Sequence, residues 1–139
     1  MRFWDSSAIL SLLTEQVQID ILRKLFKDNS ELVVSWSTKI ELVSGICRLV
    51  REGLDNNSAE KYYKKIDRLT NSSFEVDTSD KIRNLACNLL KKHPLRAADA
   101  LQLASALEWS GSFGNAEFVC LDKRLREAAE KEGFKILPK

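Results

Sequence analysis

The sequence predicts an α/β fold with a mainly parallel central sheet of four to five strands and helices on both faces. Short buried apolar runs alternate with longer segments whose apolar residues recur at helical spacing, from the start of the chain to its end. The helical segments are long enough to serve as crossover connections between parallel strands. In sheets of this kind, ligands bind in the crevice outside the carboxyl ends of the strands.

Composition limits the classes of protein that need to be considered. The length of 139 residues predicts a single domain over 1–139. The net charge of +2 is low for a protein that binds only the phosphate backbone of a nucleic acid. Cys47, Cys87 and Cys120 lie in apolar segments and are interpreted as core residues of a reducing compartment. We find no signal peptide pattern and no apolar run of membrane-spanning length, so we expect a cytoplasmic protein without a membrane partner.

The first half of the chain contains two predicted strands, each followed by helical segments. Residues 2–4 form a buried run that ends at Asp5, and Ser6 and Ser7 are typical helix-start residues. After further helical spacing and a turn at 28–30, residues 31–36 form the second buried strand. Ser37 or Thr38 then caps a long helix that ends at Gly53. Its predicted apolar stripe consists of Ile40, Val43, Ile46, Cys47 and Val50.

The next helix and strand carry charged residues at their surface and end. The helix opens at Asn57 or Ser58 and has a basic side, typical of a solvated face but also able to meet phosphates. That side comprises Lys61, Lys64, Lys65 and Arg68. Residues 74–76 form a third strand, which ends at Asp77, and residues 78–80 begin another amphipathic helix.

The last third of the chain begins where His93 and Pro94 interrupt that helix. The only histidine of the chain is predicted to lie in a surface loop, and a His-rich metal site is excluded. A helix rich in Ala and Leu follows over 95–107. Gly111 and Gly114 mark a loop, and the remaining predicted elements are a strand at 117–121 that ends at Asp122, a helix at 123–131 that ends at Gly133, and a strand at 134–137.

Four acids fall at positions where the crevice of a parallel sheet would collect them. Asp5 and Asp122 end strands, Glu41 lies one turn into the helix after the second strand, and Asp99 lies in the first turn of the Ala- and Leu-rich helix. The neighbours Leu95, Ala98, Leu101 and Leu103 are expected to crowd Asp99. Four like charges cannot share a small site without a cation. Oxygen ligands without His or Cys suit Mg²⁺ or Mn²⁺.

Each acid also has an ordinary structural interpretation, which the spacing leaves open. Glu41 fits a capping box that begins at Thr38, and Asp5 and Asp122 are suitable helix N-caps. Asp99 lies at the positive end of a helix dipole, where acids are common. Asp77 also ends a strand, but it is interpreted as helix capping alone and is left out of the candidate site.

Four segments together resemble the PIN-domain superfamily, and within it the VapC-type toxin ribonucleases of type II toxin–antitoxin systems. They are Phe3-Trp4-Asp5-Ser6-Ser7-Ala8, Ser37-Thr38-Lys39-Ile40-Glu41-Leu42, Leu95-Arg96-Ala97-Ala98-Asp99-Ala100-Leu101-Gln102-Leu103-Ala104, and Phe118-Val119-Cys120-Leu121-Asp122 with Lys123-Arg124-Leu125. The resemblance covers nearly the whole chain, and the third segment is its most specific match. One departure is Cys120, because the family commonly has Thr or Ser two residues before its last acid.

The resemblance implies a PIN-like fold and a Mg²⁺- or Mn²⁺-dependent endoribonuclease that is the toxin of a toxin–antitoxin pair. Asp5 and Asp99 would be the principal metal ligands, and Glu41 and Asp122 would complete the catalytic acidic pocket. The implied partners are an RNA substrate, a small cognate antitoxin and a second copy of the chain in a homodimer.

Three further residues receive auxiliary roles. Ser6 or Ser7 is expected to orient a carboxylate or to contact phosphate, with helix capping as the alternative. Arg96 is expected to bind RNA phosphate, with a surface ion pair as the alternative.

A second class of function stays open at this stage. A catalytically silent PIN fold could bind RNA or a protein without cutting, although such a module gains nothing from clustered acids. A phospho-acceptor domain of the receiver type is disfavoured, since Asp5 has no neighbouring acid in the sequence.

Overall fold

The computed structural model describes residues 1–111 and 114–139, so the two residues between Gly111 and Gly114 in the predicted loop lie outside the described part. The described residues form five strands and seven helices. The strands are β1 (Arg2–Trp4), β2 (Leu32–Ser35), β3 (Phe74–Val76), β4 (Glu117–Val119) and β5 (Lys135–Leu137). The helices are α1 (Ser6–Thr14), α2 (Ile19–Asp28), α3 (Thr38–Arg51), α4 (Asn56–Ser72), α5 (Asp80–Lys92), α6 (Ala97–Ser110) and α7 (Lys123–Lys131).

All strand pairs are parallel, and the strand order is β3-β2-β1-β4-β5. Phe3 of β1 pairs with Val33 of β2 on one side and with Phe118 of β4 on the other. The chain moves outward from β1 to β3 and then returns past β1 to begin β4. The order therefore reverses between β1 and β4, and their carboxyl ends form the switch point where ligands bind in open α/β sheets.

Alternating side chains of the strands build one core on each face of the sheet. Phe3 and Phe118 pack with buried residues of α5, α6 and α7. Trp4 and Val119, the next residues along the same strands, pack with buried residues of α1, α2, α3 and α4. Successive side chains of a strand point to opposite faces, so each strand supplies both cores. The predicted parallel sheet with helices on both faces is confirmed.

The predicted helix ends agree with the structure to within one or two residues at most positions. Gly53 and Gly133 have φ values of 114° and 100°, in the left-handed region, and they end the turns that follow α3 and α7. The helix predicted to open at Asn57 or Ser58 begins at Asn56, because Asp55 accepts a hydrogen bond from the Ser58 N–H at 2.9 Å. Ser79, rather than Asp77, is the N-cap of α5.

No helix among the described residues combines the length and the apolar character that crossing a bilayer would require.

Two side chains predicted to be buried are exposed, because the helices turn them away from the cores. Ile40 was assigned to the buried stripe of α3 but is 60% exposed, since it lies almost opposite the buried Leu42. Cys87 was assigned to the core but is exposed, because it lies about 140° around α5 from the buried Ile82. Cys120 is buried as expected.

The prediction that His93 lies at the surface is wrong. The residue is 6% exposed, and its Nε2 lies 2.7 Å from Oε1 of Glu132. Lys92 donates to the same oxygen at 2.7 Å. The turn after α5 packs against the end of α7, so the imidazole is enclosed between two helix ends.

Glu132 is expected to stabilise the fold through its ionised form. Burial raises the pKa of Glu132, but hydrogen bonds from Lys92 and His93 outweigh it, and the pKa lies below its ordinary value. Such a contribution is present at neutral pH and is lost as the pH falls through the lowered pKa. We therefore expect Glu132→Gln to lower the free energy of unfolding by about 1 kcal/mol near neutral pH and by less at about pH 3, measured by urea unfolding.

Glu130 supplies the matched control, because it is exposed and lies in the last turn of α7, two residues before Glu132. Glu130→Gln should change the unfolding free energy by less than about 0.5 kcal/mol at either pH. An equal loss in the two variants would contradict the assigned role of Glu132.

Candidate active site

An open cleft of about 810 Å³ lies at the carboxyl edge of the sheet, beside the switch point between β1 and β4. The structure brings together in this cleft every residue that the sequence placed in the candidate site. Those residues are Asp5, Ser6, Ser7, Glu41, Arg96, Asp99 and Asp122. They come from four different parts of the chain, so the cleft is a product of the topology.

Asp5 is the most deeply buried of the four acids, at 3% exposure. Its backbone N–H donates to the Val119 carbonyl at 2.9 Å, which continues the β1–β4 ladder by one residue. Its Oδ2 accepts from the Ser7 N–H at 3.1 Å, from the Ser7 hydroxyl at 2.5 Å and from the Cys120 thiol at 3.6 Å. Asp5 therefore caps α1, as the alternative interpretation held, through one of its two oxygens. Among the described residues, no donor reaches Oδ1.

Ser7 connects Asp5 to the loop that carries Asp122. Its hydroxyl donates to Asp5 and accepts from the Leu121 N–H at 3.1 Å. The loop continues to Asp122, which is exposed and caps α7 by accepting from the Leu125 N–H at 2.9 Å. Ser7 therefore orients a carboxylate, whereas Ser6 only lines the cleft.

Glu41 is held by side chains rather than by backbone groups. Its Oε2 accepts from the Ser37 hydroxyl at 3.3 Å and from the Gln102 amide. Ser37 is the N-cap of α3 and makes no side-chain capping bond, so the capping-box interpretation of Glu41 is wrong. The carboxylate is instead fixed between α3 and α6.

Gln102 is the residue of this site that sequence reasoning missed. It is fully buried in α6, and its amide donates to Thr38 Oγ1 at 3.1 Å as well as to Glu41. The signal was present, because a Gln between Leu101 and Leu103 in an apolar helix must find a buried partner. Three hydroxyls continue this polar layer between β2, α3 and α6: those of Ser35, Ser37 and Ser105.

Asp99 lies on the first turn of α6 and is partly buried. Its Oδ2 accepts from the Arg96 N–H at 3.4 Å, so its helix-start interpretation also holds. The helix begins at Ala97 rather than at Leu95. Ala98, which was expected to crowd Asp99, is exposed and lines the cleft, because the first turn of α6 projects beyond the core.

Burial and mutual repulsion raise the pKa values of three acids. Burial raises the pKa of Asp5, against the hydrogen bonds from Ser7 and with the help of the Asp99 charge. Burial raises the pKa of Glu41 to about 7, and the charge of Asp5 adds to this effect. Burial also raises the pKa of Asp99, where the Arg96 N–H opposes the shift and the charge of Asp122 supports it. The cleft therefore disfavours full ionisation of its own acids.

The donor set suits a hard divalent cation held partly by substrate and water. Across 1–111 and 114–139, no three Asp, Glu, His or Cys side chains form a ready-made metal site. Mg²⁺ does not require one, because it is usually held by one or two carboxylates together with waters and substrate phosphates. Asp5 and Asp99 both line the cleft, and the charge of Asp99 contributes to the raised pKa of the buried Asp5, so these two carboxylates could hold such a cation together with water and phosphate.

Two arginines also line the cleft, although the sequence analysis gave them no role. Arg48 and Arg51 follow Glu41 on α3 by seven and ten residues, a spacing that keeps them on one side of the helix. The spacing indicates from the sequence that both arginines share one side of α3 with Glu41. It points to the cleft only when the cleft is known to run along α3.

The raised pKa of Glu41 makes stability depend on pH. The unfolded chain ionises near the ordinary glutamate pKa, and the folded chain ionises near 7, so stability falls as the pH rises between these values. In metal-free buffer we expect Glu41→Gln to raise the unfolding free energy by about 1 to 2 kcal/mol at about pH 8. At about pH 4.5 the two proteins should differ by less than about 0.5 kcal/mol, again by urea unfolding.

Glu75→Gln is the control for this experiment, since Glu75 is exposed and outside the cleft. It should show no such difference between the two pH values. Loss of stability in Glu41→Gln at high pH would mean that the bonds from Ser37 and Gln102 outweigh the cost of burial.

Comparisons with known proteins agree with this architecture. A family model described as PIN domain matches residues 2–131. The ribonuclease VapC35 of Mycobacterium tuberculosis is 31% identical over 132 residues, which cover 94% of this chain and 90% of that protein.

Two solved structures show the same fold at low identity. A toxin–antitoxin complex from Klebsiella pneumoniae contains a chain with a TM-score of 0.70 and 14% identity, covering 97% of this chain and 96% of that one. VapC20 of Mycobacterium tuberculosis, described as a sarcin–ricin loop cleaving toxin, has a TM-score of 0.67 and 15% identity, covering 92% and 95% of the two chains. With the match over residues 2–131 and the identity to VapC35, these findings show that the chain belongs to the PIN-domain family, among its VapC-type members.

Proposed function

We propose that this protein is a Mg²⁺- or Mn²⁺-dependent endoribonuclease and the toxin of a toxin–antitoxin pair. The observation that supports this proposal most directly is the set of four carboxylates on one cleft, three of them with raised pKa values. A group of acids that repel one another is costly unless a cation neutralises them. The similarity to VapC35, which is named a ribonuclease, supports RNA as the substrate.

The four acids would hold the cation together. Asp5 and Asp99 would be its principal ligands, and Glu41 and Asp122 would complete the pocket. The cation would supply Lewis acidity that makes water a stronger nucleophile, and positive charge beside the scissile phosphate.

The surrounding side chains position these acids and the substrate. Ser7 donates to Oδ2 of Asp5, which leaves Oδ1 without a donor among the described residues, and Gln102 donates to Oε2 of Glu41. Ser6 and Arg96 line the cleft where they can contact RNA phosphate. His93 takes no part in proton transfer, because it is buried against Glu132 and does not line the cleft.

We further propose that the protein works in the cytoplasm as one domain over 1–139, as a homodimer that a small antitoxin neutralises. The similar chain from Klebsiella pneumoniae comes from a toxin–antitoxin complex, which supports a protein antagonist. The homodimer rests on the family resemblance.

Asp99→Asn tests the catalytic proposal. The substitution removes a principal ligand and one of several repelling charges, so RNA cleavage should be lost while stability is unchanged or slightly higher. Cleavage is measured on purified protein and bulk RNA with and without Mn²⁺, binding of Mn²⁺ by titration calorimetry, and stability by urea unfolding.

Asp77→Asn is the control, because Asp77 is an exposed acid that lies outside the cleft. It should cleave RNA and bind Mn²⁺ as the wild type does. Unfolding of the Asp99→Asn variant would assign Asp99 a structural role, and equal cleavage by all three proteins would remove the acids from the mechanism.

The alternative function is a PIN-fold module that binds RNA or protein without cutting. The observation in its favour is that no three metal-binding side chains are preassembled among the described residues. The two functions separate in the same experiment, since a binding module would retain RNA intact and would not respond to Mn²⁺.

A further inference from the structure

The cleft has a basic end as well as an acidic one, and α3 connects the two. Six residues of α3 that share one side of the helix line the cleft in succession: Ile40, Glu41, Ser44, Gly45, Arg48 and Arg51. At 1.5 Å per residue, the backbones of Arg48 and Arg51 lie about 10 and about 15 Å along the helix axis from Glu41. The two positive charges therefore flank the acidic centre at a distance instead of neutralising it.

The arginines are available to a ligand. Both are exposed, and neither forms an ion pair within the described part of the chain. Between Glu41 and Arg48, the residues of α3 that line the cleft are Ser44 and Gly45, which have small side chains or none. A Cβ added to Gly45 would meet Leu10 Cδ2 of α1 at 2.7 Å, so the two helices are in close contact beneath this part of the cleft.

We propose that Arg48 and Arg51 bind backbone phosphates of single-stranded RNA on one side of the scissile phosphate, so that α3 sets the course of the bound strand. This inference rests on the proposed ribonuclease function. The basic end of the cleft attracts an anionic strand. The cation of the proposed function would offset the repulsion at the acidic end, so the charges favour a polyanion long enough to span both ends. Guanidinium groups suit this role, because they bind phosphate with two parallel hydrogen bonds.

A purely structural role for these arginines makes a different prediction. Cations in the last turns of a helix interact favourably with its dipole, and Arg48 and Arg51 lie in the last turns of α3. In that case their removal would weaken the fold slightly and would leave RNA binding unchanged.

The experiment measures binding of a fluorescein-labelled uridine dodecamer by anisotropy, in an Asp99→Asn background so that the strand stays intact. Arg48→Gln with Arg51→Gln should weaken binding at least about fivefold. The slope of log affinity against log salt, over about 50 to 200 mM, should become shallower by about 1.4, since each phosphate contact on a single strand contributes about 0.7.

Two further variants separate charge from folding. Arg48→Lys with Arg51→Lys keeps the charge and should retain the salt slope while losing part of the affinity. Lys24→Gln with Lys27→Gln removes two exposed cations of α2 that do not line the cleft, and it should match the parent protein. Urea unfolding of every variant reports whether the fold is intact.

Each other outcome overturns the inference. Unchanged dodecamer binding and slope in the double Gln variant would reject the phosphate contacts, even if Asp99→Asn still abolishes cleavage and so upholds the proposed function. Failure of the parent protein to bind the dodecamer would also reject the phosphate contacts, whereas failure of the wild-type protein to cleave RNA would reject the proposed function. Tighter binding of a labelled glutamate decamer, lost in the double Gln variant, would assign the arginines to an acidic protein segment instead of RNA.

Discussion

The burial of carboxylates close to one another at one point of the sheet is the constraint on which the rest of the cleft depends. Asp5 is almost completely buried there, and the charges of Asp99 and Glu41 act on the same space. The fold tolerates this because the hydroxyl and N–H of Ser7 bind one oxygen of Asp5, and the same hydroxyl accepts from Leu121. One serine therefore joins the ends of β1 and β4 where the strand order reverses.

The structural and functional interpretations of the acids are compatible, because a carboxylate has two oxygens. Asp5, Asp99 and Asp122 each direct one oxygen to a backbone N–H at a helix start. A capping hydrogen bond fixes the carboxylate in place without using its second oxygen. The cap therefore also preorganises the carboxylate to bind a cation. Glu41 is the exception, since it is held by Gln102 and Ser37, and its position depends on the packing of α6 against α3.

How well the sequence predicts each feature depends on how far apart along the chain the interacting residues lie. Strands, helix ends and the convergence of the acids follow from local patterns and from the geometry of parallel sheets. The partners of His93 and Gln102 lie 39 and 61 residues away, and no local pattern contains them. The burial predicted for Ile40 was wrong for a related reason. Ile40 lies beside an open cleft, and no helix packs over it.

The distribution of charge along α3 would allow a nearly neutral protein to bind the proposed anionic substrate. The net charge of +2 understates the contrast within the cleft, where four acids and Arg96 gather at the switch point and Arg48 and Arg51 lie farther along α3. If Arg48 and Arg51 lay beside the acids, they would pair with the carboxylates and would be less available to phosphate. Their separation from Glu41 along a rigid helix leaves both charged groups accessible in one cleft, where Gly45 lies close to Leu10 of α1.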